Sequence, residues 1–357
     1  MRLVLRAIQS DPGLQLQIIV TGMHLDSRHG RTIEQIQNDG WPIDAVVDWN
    51  DPSRAAAVGK AIAALSKTFK RLKPDIVLIV GDRVEALAAA TAAHLDDITV
   101  AHVHGGDRAL GQMDDSLRHA ISKLAHLHFP ATRKSARRLE KMGEDRWRIH
   151  RAGSPGIDGI KLIAASPAKL AREFPGLKQF ALVVLHPMDA DDSLEFRRAA
   201  MISNAIRKAG ISRAVVIYPN NDPGSRGIIR KWASLSGDPR FTVRPDVPRD
   251  IFLGLLCDAV VLVGNSSSGI IEAASFHTPV IDIGDRQLGR ERCGDVHSVP
   301  YQADAIARAI GQIWNNGHPR RGKCSNPYSG GNAGSTIAQT LADAKINAKL
   351  LRKIISY

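Results

Sequence analysis

The segment Gly264–Glu272, GNSSSGIIE, follows an apolar run and carries three consecutive serines. A strand turning into a helix there presents hydroxyls and backbone N–H groups that lack intrahelical partners. With the positive end of the helix dipole, these hold a phosphate without a metal. A serine-capped helix with no ligand has the same sequence. Glu272 falls about one and a half turns into that helix, where its carboxylate suits hydroxyl-rich ribose or a salt-bridge partner. Asp285, Arg286, Gln287, Gly289 and Arg290 follow the next apolar run, Val280–Ile283. They put two arginines either at the carboxyl end of a second strand, where switch-point ligands lie, or on a solvated loop.

The first half of the chain repeats this placement. Asp75–Gly81 reads as a buried strand ending in Asp82 and Arg83, with Asp82 either a helix cap or a functional carboxylate. The next strand ends in His102, His104, Gly105 and Gly106, and the glycines permit close approach of a ligand. The two histidines share a strand face, but no third zinc ligand accompanies them. In DDSLRHAISKLAH, Asp114 and Arg118 are four residues apart on one helical face, as are Asp115 and His119. An ordinary salt-bridged helix reads the same way. His186, followed by Pro187, closes the strand Phe180–Leu185, a position suited to proton transfer, phosphate contact or a structural role. Carboxylates, imidazoles, arginines and a phosphate turn thus all fall at carboxyl ends of strands, which implies a cleft between two domains.

The elements that must position these groups follow an alternating βα rhythm. Apolar runs at Leu16–Thr21, Ala45–Val47, Ile76–Gly81, Val100–His104 and His128–Ala131 form one series. Phe180–His186, Ala214–Tyr218, Phe241–Arg244, Ala259–Val263 and Val280–Ile283 form another. The expectation is an α/β protein with two Rossmann-like, doubly wound parallel-sheet domains. The chain's 357 residues and 44% hydrophobic content suffice for two cores, and 5% aromatics favours layered helices on buried strands over a sandwich. The join is expected near Pro155–Pro167, after a strand at Arg148–Gly153. This gives a first domain over 1–165, a second over 166–334, and a tail over 335–357, helical from Ser335 to Ile355, packing back on the first. The chain opens on a helical segment, Leu3–Ser10, with no strand ahead of it.

The formal charge is +12, and much of it lies between Arg133 and Arg151, mixed with Glu140, Glu144 and Asp145. That pattern reads as a solvated helical face, because no base-stacking aromatic motif accompanies it and nucleic acid is not expected as a partner. Cys257, Cys293 and Cys324 are odd in number and far apart, without CxxC spacing, which fits a reduced, cytoplasmic setting. No apolar run approaches the ~18 residues of a spanning helix, and the first residues do not read as a secretory signal. No membrane partner is expected.

Taken together, GDRVEALAAA, HVHGGD, DDSLRHAISKLAH, GSPGID, the His186–Pro187 pair, PNNDPGS, GNSSSGIIE and GDRQLGR resemble the hydrolysing UDP-N-acetylglucosamine 2-epimerases over nearly the whole chain. The resemblance implies a GT-B-like fold, two Rossmann-like domains facing a cleft. It implies elimination of UDP across C1 and C2 to a glycal, then addition of water to release the 2-epimer, with neither cofactor nor metal. The positions matching the catalytic set are Asp82, His104, Asp114, Arg118 and His186. Those matching the UDP site are Arg83, Asn265, Ser266, Ser267, Glu272 and Arg286. A homodimer is the family expectation. His104 stands where the sialic acid branch carries glutamate, so the chain looks more like the branch serving legionaminic-type sugars, with UDP-N,N'-diacetylbacillosamine beside UDP-N-acetylglucosamine as candidate substrate. The strand and GTRAD-like turn with which members open are not in the sequence, which suggests a start further upstream or a weakened remnant. Alternative readings are a non-hydrolysing 2-epimerase, whose members carry an alanine-glycine pair in place of Gly105–Gly106, and an inactive sugar-nucleotide-binding protein.

Overall fold

The computed structural model describes residues 1–25, 33–49, 51, 53–108, 113–314, 321–322 and 324–354, with the side chains of Met23, Met113 and Asp114 outside the described set. Two compact units emerge. Unit 1 is drawn from Met1–Arg108, Gln112–Asp158 and Tyr328–Tyr357, and unit 2 from Gly159–Pro327. Eleven described strands run in chain order: β1 Ile19–Thr21, β2 Ala45–Val47, β3 Ile76–Val80, β4 Thr99–Val103, β5 Leu127–Phe129, β6 Ala181–Val184, β7 Ala214–Ile217, β8 Phe241–Arg244, β9 Val261–Gly264, β10 Val280–Ile283 and β11 Val296–Val299.

Unit 2 is one parallel sheet of order β11-β10-β9-β6-β7-β8. Its inner strands read ALVV, AVVI, VLVG and VIDI and are buried at every position, the run expected of strands covered on both faces. Ile202, Ile206 and Trp232 from flanking helices close the core. The outermost strand β11, VHSV, escaped the sequence reading because it is half-exposed and mixes polar with apolar residues.

The strands of unit 1 are also parallel but fall into two sheets, β1-β2 and β3-β4-β5. Val47, Ile79 and Val100 share one core with Ala-rich helices Arg54–Leu72 and Val84–Leu95. A second core joins Val4 and Ile8 of the opening helix, Arg2–Ser10, to Val103, Phe129, Ile337 and Leu341.

Several local expectations give way to packing. The segment expected as a strand at Arg148–Gly153 makes a 3-10 turn, Arg146–Arg148, and one bridge, Ile149 to His128. The tail is two helices, Ala333–Ala342 and Ala348–Leu351, the first N-capped by Asn332 and the second by Asn347. Within the basic segment, Arg133, Lys134 and Arg137 are exposed on the helix Arg133–Lys141. Arg148 is instead buried and donates to the carbonyls of His126, Lys349 and Leu350 at 3.2, 2.9 and 2.7 Å. Cys293 and Cys324 form a disulfide with Cα atoms 5.8 Å apart, a pairing made by the return of the chain beside β11 and invisible in their spacing. Cys257 is half-buried, and burial raises its thiol pKa.

Candidate active site

In unit 1 the groups converge at the carboxyl ends of β3 and β4. Gly81 leaves β3 with φ +79 and its N–H on the Val103 carbonyl. The helix Val84–Leu95 is then capped at Arg83, so Asp82 is not its cap. The Asp82 carboxylate instead forms an ion pair with Arg118 of the helix Met113–Leu124. Arg118, buried, also donates to Asp115 Oδ1 at 3.0 Å and to the Asp107 carbonyl at 3.2 Å. A buried guanidinium with two carboxylates and a carbonyl is compensated. Asp115 lies 3.6 Å from His119. Arg83 is turned to Glu85, with Nε 3.3 Å from its carboxylate.

His102 in β4 and His104 just past it divide their work. His102 is fully buried, its Nε2 2.7 Å from the Gly81 carbonyl and its Nδ1 3.2 Å from Ser122 Oγ. A carbonyl only accepts, so Nε2 carries the proton, and burial pushes the ring pKa down to about 3. His102 is therefore a neutral bolt beneath the Gly81–Asp82 turn. His104, one residue past the strand, places Nδ1 2.8 Å from Asp107 Oδ2 and Nε2 3.1 Å from Ser154 Oγ. The turn passes so close to the Ser135 carbonyl that Gly106, at φ +74, has no room for a side chain.

In unit 2 the groups converge on Asn265, fully buried just past β9. Its Oδ1 accepts the His186 N–H at 2.7 Å, and its Nδ2 donates to the His186 carbonyl at 2.8 Å and to Tyr301 Oη at 3.2 Å. Its own carbonyl accepts from Gln287 at 2.8 Å and Arg286 at 3.3 Å. One residue thus ties the ends of β6, β9 and β10 together. Asn220 N–H donates to His186 Nδ1 at 3.0 Å, leaving the proton of the neutral ring on Nε2. Burial, then the positive charge of Arg286, lowers the His186 pKa to about 4. Ser266 and Ser268 are buried and bond each other at 2.9 Å, whereas Ser267 is half-exposed. Glu272 separates two short helices, Ser268–Ile271 and Ala273–Phe276, and pairs with Arg249.

Sequence reasoning passed over four groups here. Asp107 and Ser154 lie inside the motifs HVHGGD and GSPGID without a role. Tyr301 carries no motif, and burial with the nearby Glu195 raises its pKa to about 12. Glu195, fully buried, accepts the N–H groups of Met188 and Asp189 at 3.0 Å and so shapes the turn after His186. Among the described residues no group of three His, Cys, Asp or Glu side chains is placed to hold a metal ion.

Two α/β units of parallel strands, each with its polar groups at strand carboxyl ends, define a GT-B-like two-domain protein. The chain belongs to the UDP-N-acetylglucosamine 2-epimerase family, whose model matches residues 6–342. It is 35% identical over 366 residues to a UDP-N,N'-diacetylbacillosamine 2-epimerase (hydrolyzing) of Legionella pneumophila, covering 100% of this chain and 96% of that protein. It is 34% identical over 314 residues to a UDP-N-acetylglucosamine 2-epimerase of Neisseria meningitidis, covering 87% and 82%. Its fold is similar to the crystal structure of UDP-GlcNAc 2-epimerase from Neisseria meningitidis bound to UDP-GlcNAc, with TM-score 0.81, 19% identity, and 96% and 95% of the two chains covered.

Proposed function

We propose that the protein is a hydrolysing 2-epimerase of a UDP-linked N-acetylated amino sugar, either UDP-N-acetylglucosamine or UDP-N,N'-diacetylbacillosamine. The observation that carries this reading is the Asp82–Arg118 ion pair at the carboxyl end of β3, beside His104 and Asp107. It places a carboxylate at a strand end, the kind of group that takes a proton from carbon. A base removes the C2 proton, the C1–O bond breaks with its electron pair leaving on UDP, and a glycal remains. Water then adds, its hydroxyl to C1 and a proton to C2, and the free 2-epimer departs. Asp82, His104, Asp114, Arg118 and His186 form the catalytic set. Arg83, Asn265, Ser266, Ser267, Glu272 and Arg286 form the UDP site, with Arg286 on the diphosphate and Glu272 exchanging Arg249 for ribose hydroxyls.

The enzyme works as a cytoplasmic homodimer, and its ManNAc-type product feeds sialic or legionaminic acid synthesis. The name of the Legionella relative supports the sugar class, and no described helix is long and apolar enough to cross a membrane.

The test is incubation with each UDP-sugar in deuterated water. Release of UDP and a free 2-epimer bearing deuterium at C2 is expected, and Asp82→Asn should slow it about 100-fold or more. Recovery of intact UDP-sugar, with neither release nor exchange, would overturn the reading.

A further inference from the structure

Ser154, His104 and Asp107 form a hydroxyl–imidazole–carboxylate array, and from it we infer that Asp107 and Ser154 are the positioning residues of His104. This rests on His104 belonging to the catalytic set. Asp107 is buried, and its two carboxylate oxygens are both engaged: Oδ2 with His104 Nδ1 at 2.8 Å, Oδ1 with the Ser135 hydroxyl at 2.7 Å. A carboxylate only accepts, so the contact to His104 requires a proton on Nδ1. In the neutral ring, Nε2 is then the lone-pair nitrogen.

Ser154 faces that lone pair. Its Oγ lies 3.1 Å from Nε2 and accepts the Gly156 N–H at 3.3 Å, so its single proton is directed to the imidazole. Its backbone N–H is fixed on the Tyr328 carbonyl at 2.8 Å. Only 3% of Ser154 is exposed, which makes its hydroxyl a holder of the ring and not an attacking group.

The backbone supports the same reading. His104 has φ +67, a left-handed conformation uncommon for a residue with a side chain and one that persists only where the surroundings enforce it. Here the enforcement comes from its N–H on the Phe129 carbonyl at 3.0 Å and from the Asp107 N–H returning to its own carbonyl at 3.4 Å. The Asp107 carbonyl receives Arg118, the partner of Asp82. One short turn therefore sets the tautomer of the imidazole and braces the arginine of the neighbouring carboxylate. An imidazolium formed when Nε2 takes a proton faces the Asp107 carboxylate, the arrangement that stabilises a histidine base in its charged state.

Tautomer and turnover test this separately. Long-range proton–nitrogen correlation on 15N-histidine-labelled protein, with His104→Gln for assignment, is expected to show His104 protonated at Nδ1 and not at Nε2. Asp107→Asn should abolish that preference and lower kcat about 100-fold, leaving KM and UDP affinity within about twofold. Ser154→Ala should lower kcat about tenfold with the Nδ1–H tautomer kept, and Ser154→Thr should restore most of it. Should Asp107→Asn fail to fold, Ser135→Ala removes one support of Asp107 and is expected to lower kcat in the same direction. An Nε2–H tautomer in the unsubstituted protein would overturn the inference, as would unchanged kcat in both Ser154→Ala and Ser135→Ala. The tautomer is read without substrate. Absence of turnover on both UDP-sugars would therefore sink the proposed activity and still leave the array judged on the spectrum.

Discussion

Asn265 satisfies a strand end, a histidine backbone and a tyrosine hydroxyl with one amide. Removing it takes a partner from three part-buried polar groups at once. Each unpaired group costs about 1–3 kcal/mol, so Asn265→Ala should destabilise the protein by about 3 kcal/mol or more. Urea unfolding measures this. A loss under about 1 kcal/mol would show that the three groups find other partners. The variant should also weaken UDP binding, because the backbone carbonyl that receives Arg286 and Gln287 stays but loses the side-chain ties to His186 and Tyr301 that fix its place. Asp82 makes the opposite point, since its residue type alone left cap and functional carboxylate open. Only the helix Met113–Leu124, which turns Arg118 towards it, settles that it is paired.

At the scale of elements, the end of β9 is set by a residue with no side chain. Gly264 has φ +148 and lies against the Val184 carbonyl of β6, where a Cβ would collide with backbone. Gly264→Ala must push the two central strands apart, and a loss of about 3 kcal/mol with impaired UDP binding is expected from calorimetry and UDP titration. The inner strands were legible because strands buried on both faces need unbroken apolar runs: β10 kept the expected residues, as did the edge strand β8, and β7 ends at Ile217, one residue before the expected Tyr218. The half-exposed β11 was not, because the consecutive polar residues His297 and Ser298 break any such run. The helix over 335–355 was read as continuous, whereas Asn347, bonding the Leu350 N–H, starts a new turn after Ala342. In the site, residue types announced His104, Arg118 and His186. Their partners Asp107, Ser154 and Tyr301 depend on tertiary approach, and local spacing carries no trace of it.

Over the whole molecule, neutral buried histidines tie stability to pH. His102, His126 and His186 are held near 3, 4 and 4, against 6.5 in an open chain, each chiefly by burial. Above pH 6.5 the rings are neutral folded or unfolded, and their full contribution is present. As pH falls below 6.5 the unfolded chain binds protons that the folded one refuses, so stability declines towards pH 4. The loss should be on the order of 2 kcal/mol per ring by pH 5. Chemical denaturation midpoints at pH 7.5, 6 and 5 check this, and a flat profile across that range would contradict it. Arg148 adds a consequence in time. It holds the carbonyl of Leu350, 202 residues further along the chain, and Lys353 lies 2.6 Å from the fully buried carboxylate of Glu144. A polypeptide emerging from the ribosome has therefore made every described strand of both units before Lys353 and the tail carbonyls that complete these buried sites exist. Until then Glu144 relies on Lys123 and His128, and Arg148 on Asp145 and the His126 carbonyl, so the half of the protein synthesised first is the half that finishes folding last.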